Sequence, residues 1–242
     1  MAQAKKPKPL HEAHRARMQE RVKRDGLESL AEHEALEYLL FFAIPRQNTN
    51  PLAHRLIQHF GSFCRVLEAG EEELREVEGI GPSSARMIHS VLEFARYYTM
   101  HKRVRRVGLN STERVLEYVR PLFMGLQHEV LYLIAMDDNY TPLRDIRIGE
   151  GLPNKLTFDI NKLARTAVST GCTCGVLAHN HPSGLAVPSE EDFAATVQIS
   201  KTLGMLGIDL LDHLIITADD AASMRDSGRM PHFDPYNQQV YY

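Results

Sequence analysis

The chain has 242 residues, 43% of them hydrophobic and 24% charged, with a formal net charge of −3. That length suits two small domains or one large one, and that balance is ordinary for a globular protein rather than a disordered or fibrous one. No apolar run approaches the ~20 residues of a membrane helix, the start MAQAKKPKPLHEAHRAR lacks the apolar core of a secretory signal, and an odd count of three cysteines argues against a disulfide framework, so a cytoplasmic location without membrane attachment is expected.

Residues 1–14 are polar and proline-containing and read as a loose tail. From residue 15 to about 100 the apolar spacing is helical throughout, with no strand-like alternation. LAEHEALEYLLFFAI predicts a helix that stops at Pro45, and PLAHRLIQHFG a short one opened by Pro51 and closed by Gly61. EEELREVEG and GPSSARMIHSVLEFARYY follow, joined through Gly79-Ile80-Gly81. Two short helices around such a turn look like a helix-hairpin-helix. Glycines let the backbone approach a phosphate, free N–H groups at the helix start can bind it, and Arg86 adds a charge. The plainer alternative is a tight turn between two helices. Glu71, Glu72, Glu73, Glu76, Glu78 and Glu93 crowd the same region with negative charge.

Residues 101–110 form a basic connector carrying Lys102, Arg103, Arg105 and Arg106. It is the expected domain boundary, and reads either as a second phosphate-contacting segment or as a solvated linker. Residues 1–110 hold 18 Lys and Arg against 14 Asp and Glu, whereas 111–242 hold 10 against 17. Any DNA contact, non-specific and salt-sensitive, therefore belongs to residues 1–110. A mixed solvated surface accounts for the asymmetry nearly as well.

Beyond residue 110 the pattern changes to alternating helices and strands. STERVLEYVRPLFMG predicts an amphipathic helix capped by Ser111 or Thr112, and EVLYLIAMD a strand, followed by the turn DNYTP and a second strand near LRDIRIG. DINKLARTAVSTG predicts a helix between Asp159 and Gly171, GVLAHNH a strand, residues 189 to about 206 a helix, and IDLLDHLIIT a buried strand. The whole is an α+β chain: an all-helical domain over 15–100, then an α/β domain over 111–242 with a mixed sheet covered by helices. Cys172 and Cys174, spaced Cys-x-Cys rather than as the usual zinc pair, and Cys64 read as packing residues.

The segment GVLAHNHPSGLAVPSEED, residues 175–192, carries the chemistry. Alternate residues of a strand share a face, so His179 and His181 can point at one ion while Asn180 faces away. PSGLAVP turns the chain, Ser189 is a good N-cap, and Asp192 falls in the first turn of the next helix, where its carboxylate can swing back toward the imidazoles. Two His nitrogens and an Asp oxygen with one open position make a zinc site of the catalytic kind. Against this stand two plain readings: polar surface for the histidines, and an ordinary capping box for Ser189 and Asp192. Asp212 and His213, adjacent on a predicted strand, face opposite ways. His213 reads as a buried, hydrogen-bonded structural histidine, with a role behind the metal site as the alternative.

His-x-His followed by ten residues and Asp, with Ser three residues before the Asp, resembles the JAMM motif of MPN/JAB1-type metalloproteases. HNHPSG, PSEED and LLDHLII resemble, more narrowly, bacterial RadC-like proteins, over about residues 15–230. One departure is the stretch KLTFDINKLARTAVS, where such proteins commonly carry a Pro-Arg-Glu run. The resemblance implies an MPN fold and a zinc-dependent peptidase or isopeptidase of unknown protein or peptide substrate, in which metal-bound water attacks the carbonyl. It implies His179, His181 and Asp192 as ligands, Ser189 as donor to the oxyanion, and a Glu on an early strand as base. Glu129, opening EVLYLIAMD, matches that place, and Glu150, in the glycine-flanked loop GEGLP, is its rival, with a solvated surface residue as the plain alternative. Two other readings remain: a DNA-repair-associated protein acting through residues 70–98 and the basic connector, and an interaction module with a merely structural metal. Oligomeric state is not legible.

Overall fold

The computed structural model describes residues 10–102, 108–152, 155–182 and 184–241, and divides into two compact units, Met1–Ala95 and Arg96–Tyr242. Among the described residues no helix is long and apolar enough to cross a membrane.

The first unit is helical: α1 (Leu10–Asp25), a 3-10 turn (Leu27–Ser29), α2 (Glu32–Ala43), α3 (Asn50–Phe60), α4 (Phe63–Glu68), α5 (Glu71–Arg75) and the start of α6 (Pro82–Lys102). The boundaries follow the sequence signals. Helix α2 ends two residues before Pro45, and α3 closes on Gly61, whose φ of 93° is left-handed and favours glycine. Leu36, Leu40, Leu56, Leu74 and Ile88 are fully buried in one cluster. Truncating any of them to alanine costs about 2–5 kcal/mol in such a core.

The second unit is a six-stranded mixed sheet in the order β3-β2-β1-β4-β5-β6, with β1 Glu129–Met136, β2 Pro142–Leu152, β3 Lys155–Phe158, β4 Cys174–Asn180, β5 Asp209–Ile216 and β6 Ala221–Ser223. Among the described residues only β4 and β5 run parallel. A small hairpin of β7 (His232–Asp234) and β8 (Gln239–Tyr241) ends the chain. The helices α7 (Thr112–Phe123), α8 (Ile160–Thr170) and α9 (Glu190–Met205) cover the sheet on both sides. Val115, Val119 and Leu122 of α7 pack with Val130, Ile134, Val176 and Ala178 on one face. Leu163 and Ala167 of α8, with Ile199 and Leu203 of α9, pack with Leu131, Leu133 and Leu177 on the other. Central strands covered on both faces read as near-continuous apolar runs, as EVLYLIAM and CGVLAHN do.

Several sequence expectations are corrected. Helix α6 has 21 residues, so Gly79-Ile80-Gly81 does not sit between two short helices. That same helix carries Lys102, at the start of the expected connector. GEGL is not a loop: Glu150 lies on β2, paired with Val130 of β1. Cys64 is exposed rather than packed, whereas Cys172 and Cys174 are buried. The short strands β3, β6, β7 and β8 carry too few residues to show a period in sequence.

Candidate metal centre

Strand β4 and helix α9 build the centre. On β1 the side chains of Leu131, Leu133 and Ala135 face α8 and α9, and those of Val130, Ile134 and Met136 face α7. His179 is paired with Leu131, so its ring emerges on the α9 side. His181 follows the strand, tethered where its N–H donates to the Ile216 carbonyl at 2.8 Å. Asp192 comes from the first turn of α9, where the Ser189 hydroxyl accepts the Asp192 N–H at 3.1 Å and the Asp192 carboxylate accepts the Ser189 N–H at 2.8 Å. This reciprocal capping box aims the carboxylate backwards toward β4.

One nitrogen of each histidine and one Asp192 oxygen converge within 4.8 Å of one another. His179 Nε2 lies 2.8 Å from His181 Nε2 and 3.2 Å from Asp192 Oδ1, and His181 Nε2 lies 3.5 Å from Oδ2. His179 is fully buried, Asp192 nearly so, and His181 borders solvent with 16% of its side chain exposed. Of the three, His181 is the one in contact with solvent.

The outward ring nitrogens decide which atoms carry hydrogen. His181 Nδ1 lies 3.0 Å from the Leu185 carbonyl, which only accepts, so Nδ1 is the protonated nitrogen and Nε2 of the neutral ring keeps its lone pair. His179 Nδ1 lies 2.8 Å from Nε2 of His213 on β5. His213 Nδ1 in turn lies 2.6 Å from the Thr196 hydroxyl, whose hydrogen goes to the Asp192 carbonyl. Read from that carbonyl outward, each donor has one acceptor, and His179 Nε2 is left with its lone pair. The two Nε2 lone pairs then face one another beside a carboxylate. A cation held between them satisfies all three groups at once. The residues fit a metal, and the group could bind an ion.

Electrostatics follow the same geometry. Burial alone would push the Asp192 carboxyl up, but the adjoining His179 and His181 imidazoles outweigh it and hold the group well below the usual carboxylate range. His181 is raised by its hydrogen bond to Asp192, with burial opposing and smaller contributions from the Leu185 carbonyl and the charges of Asp192 and Glu129. Burial, helped by the neighbouring His179, keeps His213 well below the ordinary histidine value, hence neutral.

Glu129 is buried at the head of β1, on the face shared by Leu131 and His179. Glu150, registered with Val130, lies on the other face and binds His128 Nε2 at 3.1 Å and Arg147 at 2.9 Å. Of the two rivals only Glu129 is on the side of the histidines. The Ser189 hydroxyl donates to Asp192 Oδ2 at 2.7 Å. Asp212 points the opposite way from His213, accepting from Ser223 Oγ at 2.6 Å and the Arg225 N–H at 2.9 Å. Thr196 went unrecognised in the sequence, although its place four residues after Asp192 on one helix was a usable signal.

A family model described as the RadC-like JAB domain matches residues 109–229, half of the chain. The chain belongs to the RadC-like JAB domain family. The matched RadC-like region contains Glu129, His179, His181, Ser189, Asp192 and His213, so every group converging on the centre is inside it.

The residues expected at phosphate lie outside the RadC-like match. Gly79 has a φ of +97°, and the Gly81 N–H is taken by Ser84 Oγ at 3.0 Å. Both arms of the Arg86 guanidinium are engaged, at 2.8 Å with Glu71 and 2.9 Å with Glu93. The Lys102 ammonium lies over the Tyr98 ring at 5.3 Å. Arg103, Arg105 and Arg106 fall outside the described residues.

Proposed function

We propose that the protein is a zinc-dependent metallopeptidase or isopeptidase of JAMM type. The observation that carries this reading is the convergence of two histidine lone pairs and a carboxylate within 4.8 Å, with a buried Glu129 on the same sheet face. His179, His181 and Asp192 would hold zinc. Three protein donors of mixed nitrogen and oxygen are the set of a catalytic zinc site, whereas structural zinc takes four. When bound, zinc acidifies a water and polarises the scissile carbonyl.

The remaining work falls to the chain. Glu129 takes the proton released as the carbonyl is attacked and returns it to the leaving amine, so one carboxylate serves as base and then acid. His213 and Thr196 keep His179 in the tautomer that presents Nε2. Ser189 holds Asp192, and it donates to the developing oxyanion once its hydroxyl turns away from Asp192 Oδ2. The solvent border at His181 is where an extended chain enters.

The test is elemental analysis of the purified full chain. Zinc at one equivalent is expected, lost in His179→Ala and retained in Glu129→Gln. A proteomic comparison of cells carrying wild type and Glu129→Gln should then show substrates accumulating only with the variant. Protein that is zinc-free, and that binds none when zinc is supplied, would remove the reading.

A further inference from the structure

Asn180 stands between the two histidines, and strand alternation sends its side chain to the sheet face opposite His179. On that account it would contribute nothing to the centre. The structure gives it a different task. Asn180 is buried, its Oδ1 accepts the Val130 N–H at 2.8 Å, and its Nδ2 donates to the His128 carbonyl at 3.0 Å. Those are the backbone groups immediately before and after Glu129.

We propose that Asn180 is a positioning residue for Glu129: its amide clamps the peptide planes on either side of that residue and so fixes where the carboxylate stands relative to the histidines. The inference rests on the reading of Glu129 given above. Registered pairing between β1 and β4 begins only at Leu131 and His179. Glu129 lies beyond that point, and its backbone neighbour on β2 is Gly151, which offers no side chain to pack against it. The end of a strand frays unless something replaces the missing ladder. Here one planar side chain supplies an acceptor and a donor at ladder spacing, from the face that leaves the α9 side clear for chemistry.

The residue type follows from the task. Aspartate has no donor for the His128 carbonyl, and leucine has neither function and would orphan two buried backbone groups. The clamp also explains the place of Asn180 in the chain. Because it sits between His179 and His181, base and metal ligands become parts of one rigid piece. A catalytic constellation needs such placement to within about 0.5 Å.

The experiment uses the full chain with Co2+ as probe and glutamate labelled with 13C at the carboxyl, the Glu129 signal being assigned by its absence in Glu129→Gln. In wild type, bound cobalt should strongly enhance relaxation of the Glu129 carboxyl. In Asn180→Ala the cobalt stoichiometry should be unchanged, that enhancement should fall about twofold or more, and the Val130 amide should exchange with solvent about tenfold faster. Asn180→Asp, which keeps volume and acceptor, should lie between the two, and is read in place of alanine should the latter not fold. A general loss of stability would lower Tm without moving Glu129 relative to cobalt. Unchanged Glu129 relaxation in a cobalt-loaded variant overturns the inference. Wild type that takes up no cobalt overturns the metallopeptidase reading and this inference with it, a case recognisable because Val130 protection would still depend on Asn180.

Discussion

His179 Nδ1 and His213 Nε2 lie 2.8 Å apart although 34 residues separate them in sequence. Parallel pairing of β4 with β5 sets His213 beside Leu177, on the same face as His179 and one alternation below it. A buried histidine whose own ring is anchored by Thr196 thus holds a second histidine by its outer nitrogen.

From this follows the first prediction. His213→Ala should weaken zinc binding about 10- to 100-fold, because His179 loses the acceptor that fixes its ring and tautomer. His213→Gln, which restores an acceptor, should recover part of the loss. Competition against a chromophoric chelator measures both, and an alanine variant with wild-type affinity would contradict the relay.

Ser189 caps α9 and donates to Asp192 through one hydroxyl. Ser189→Ala should therefore cost about 1 kcal/mol of stability in urea denaturation and weaken zinc binding, while Ser189→Thr should retain most of both. Equal stability of the alanine variant and wild type would show that the cap contributes nothing.

Zinc affinity should fall with pH earlier than for an ordinary histidine site. In the metal-free protein the hydrogen bond to Asp192 raises His181 above its ordinary value of 6.5. The metal-free state therefore holds a proton on that ring at a higher pH, whereas zinc requires the lone pair. Binding releases that proton, so affinity is full above the raised value and declines as pH falls through it. Isothermal titration in buffers of different ionisation enthalpy reads the proton release directly. No release just above pH 6.5 would contradict the assignment.

The thiols separate by burial. Burial pushes the Cys174 thiol up to about 11, and Cys172 is buried beneath α8, whereas Cys64 is exposed. A folded chain should react with one equivalent of a thiol reagent at neutral pH and an unfolded chain with three. Rapid reaction of more than one thiol in the native state would show that the sheet entrance at β4 opens.

Much of the centre was legible because its three donors lie close in sequence. The spacing of His179 and His181 reads as one strand face, and Ser189 marks the start of the helix that carries Asp192. The choice between Glu129 and Glu150 was not legible. Glu129 opens a predicted strand and Glu150 stands between two glycines, and it is the pairing of Val130 with Glu150 that puts the latter on the other face. The engagement of Arg86 was only partly legible: Glu93 lies seven residues on along the same helix, whereas the bond to Glu71, 15 residues away, depends on how α5 meets α6.

Local chemistry thus determined the elements: apolar period, proline and glycine punctuation and a serine cap are properties of short stretches, and each acts over a few residues. Tertiary structure decided the partnerships. His213 behind His179, Asn180 around Glu129 and Glu150 turned away all depend on strand order and register, which arise from burying two faces of one sheet at once. No window of sequence contains that condition, because it is met only when distant strands are laid side by side.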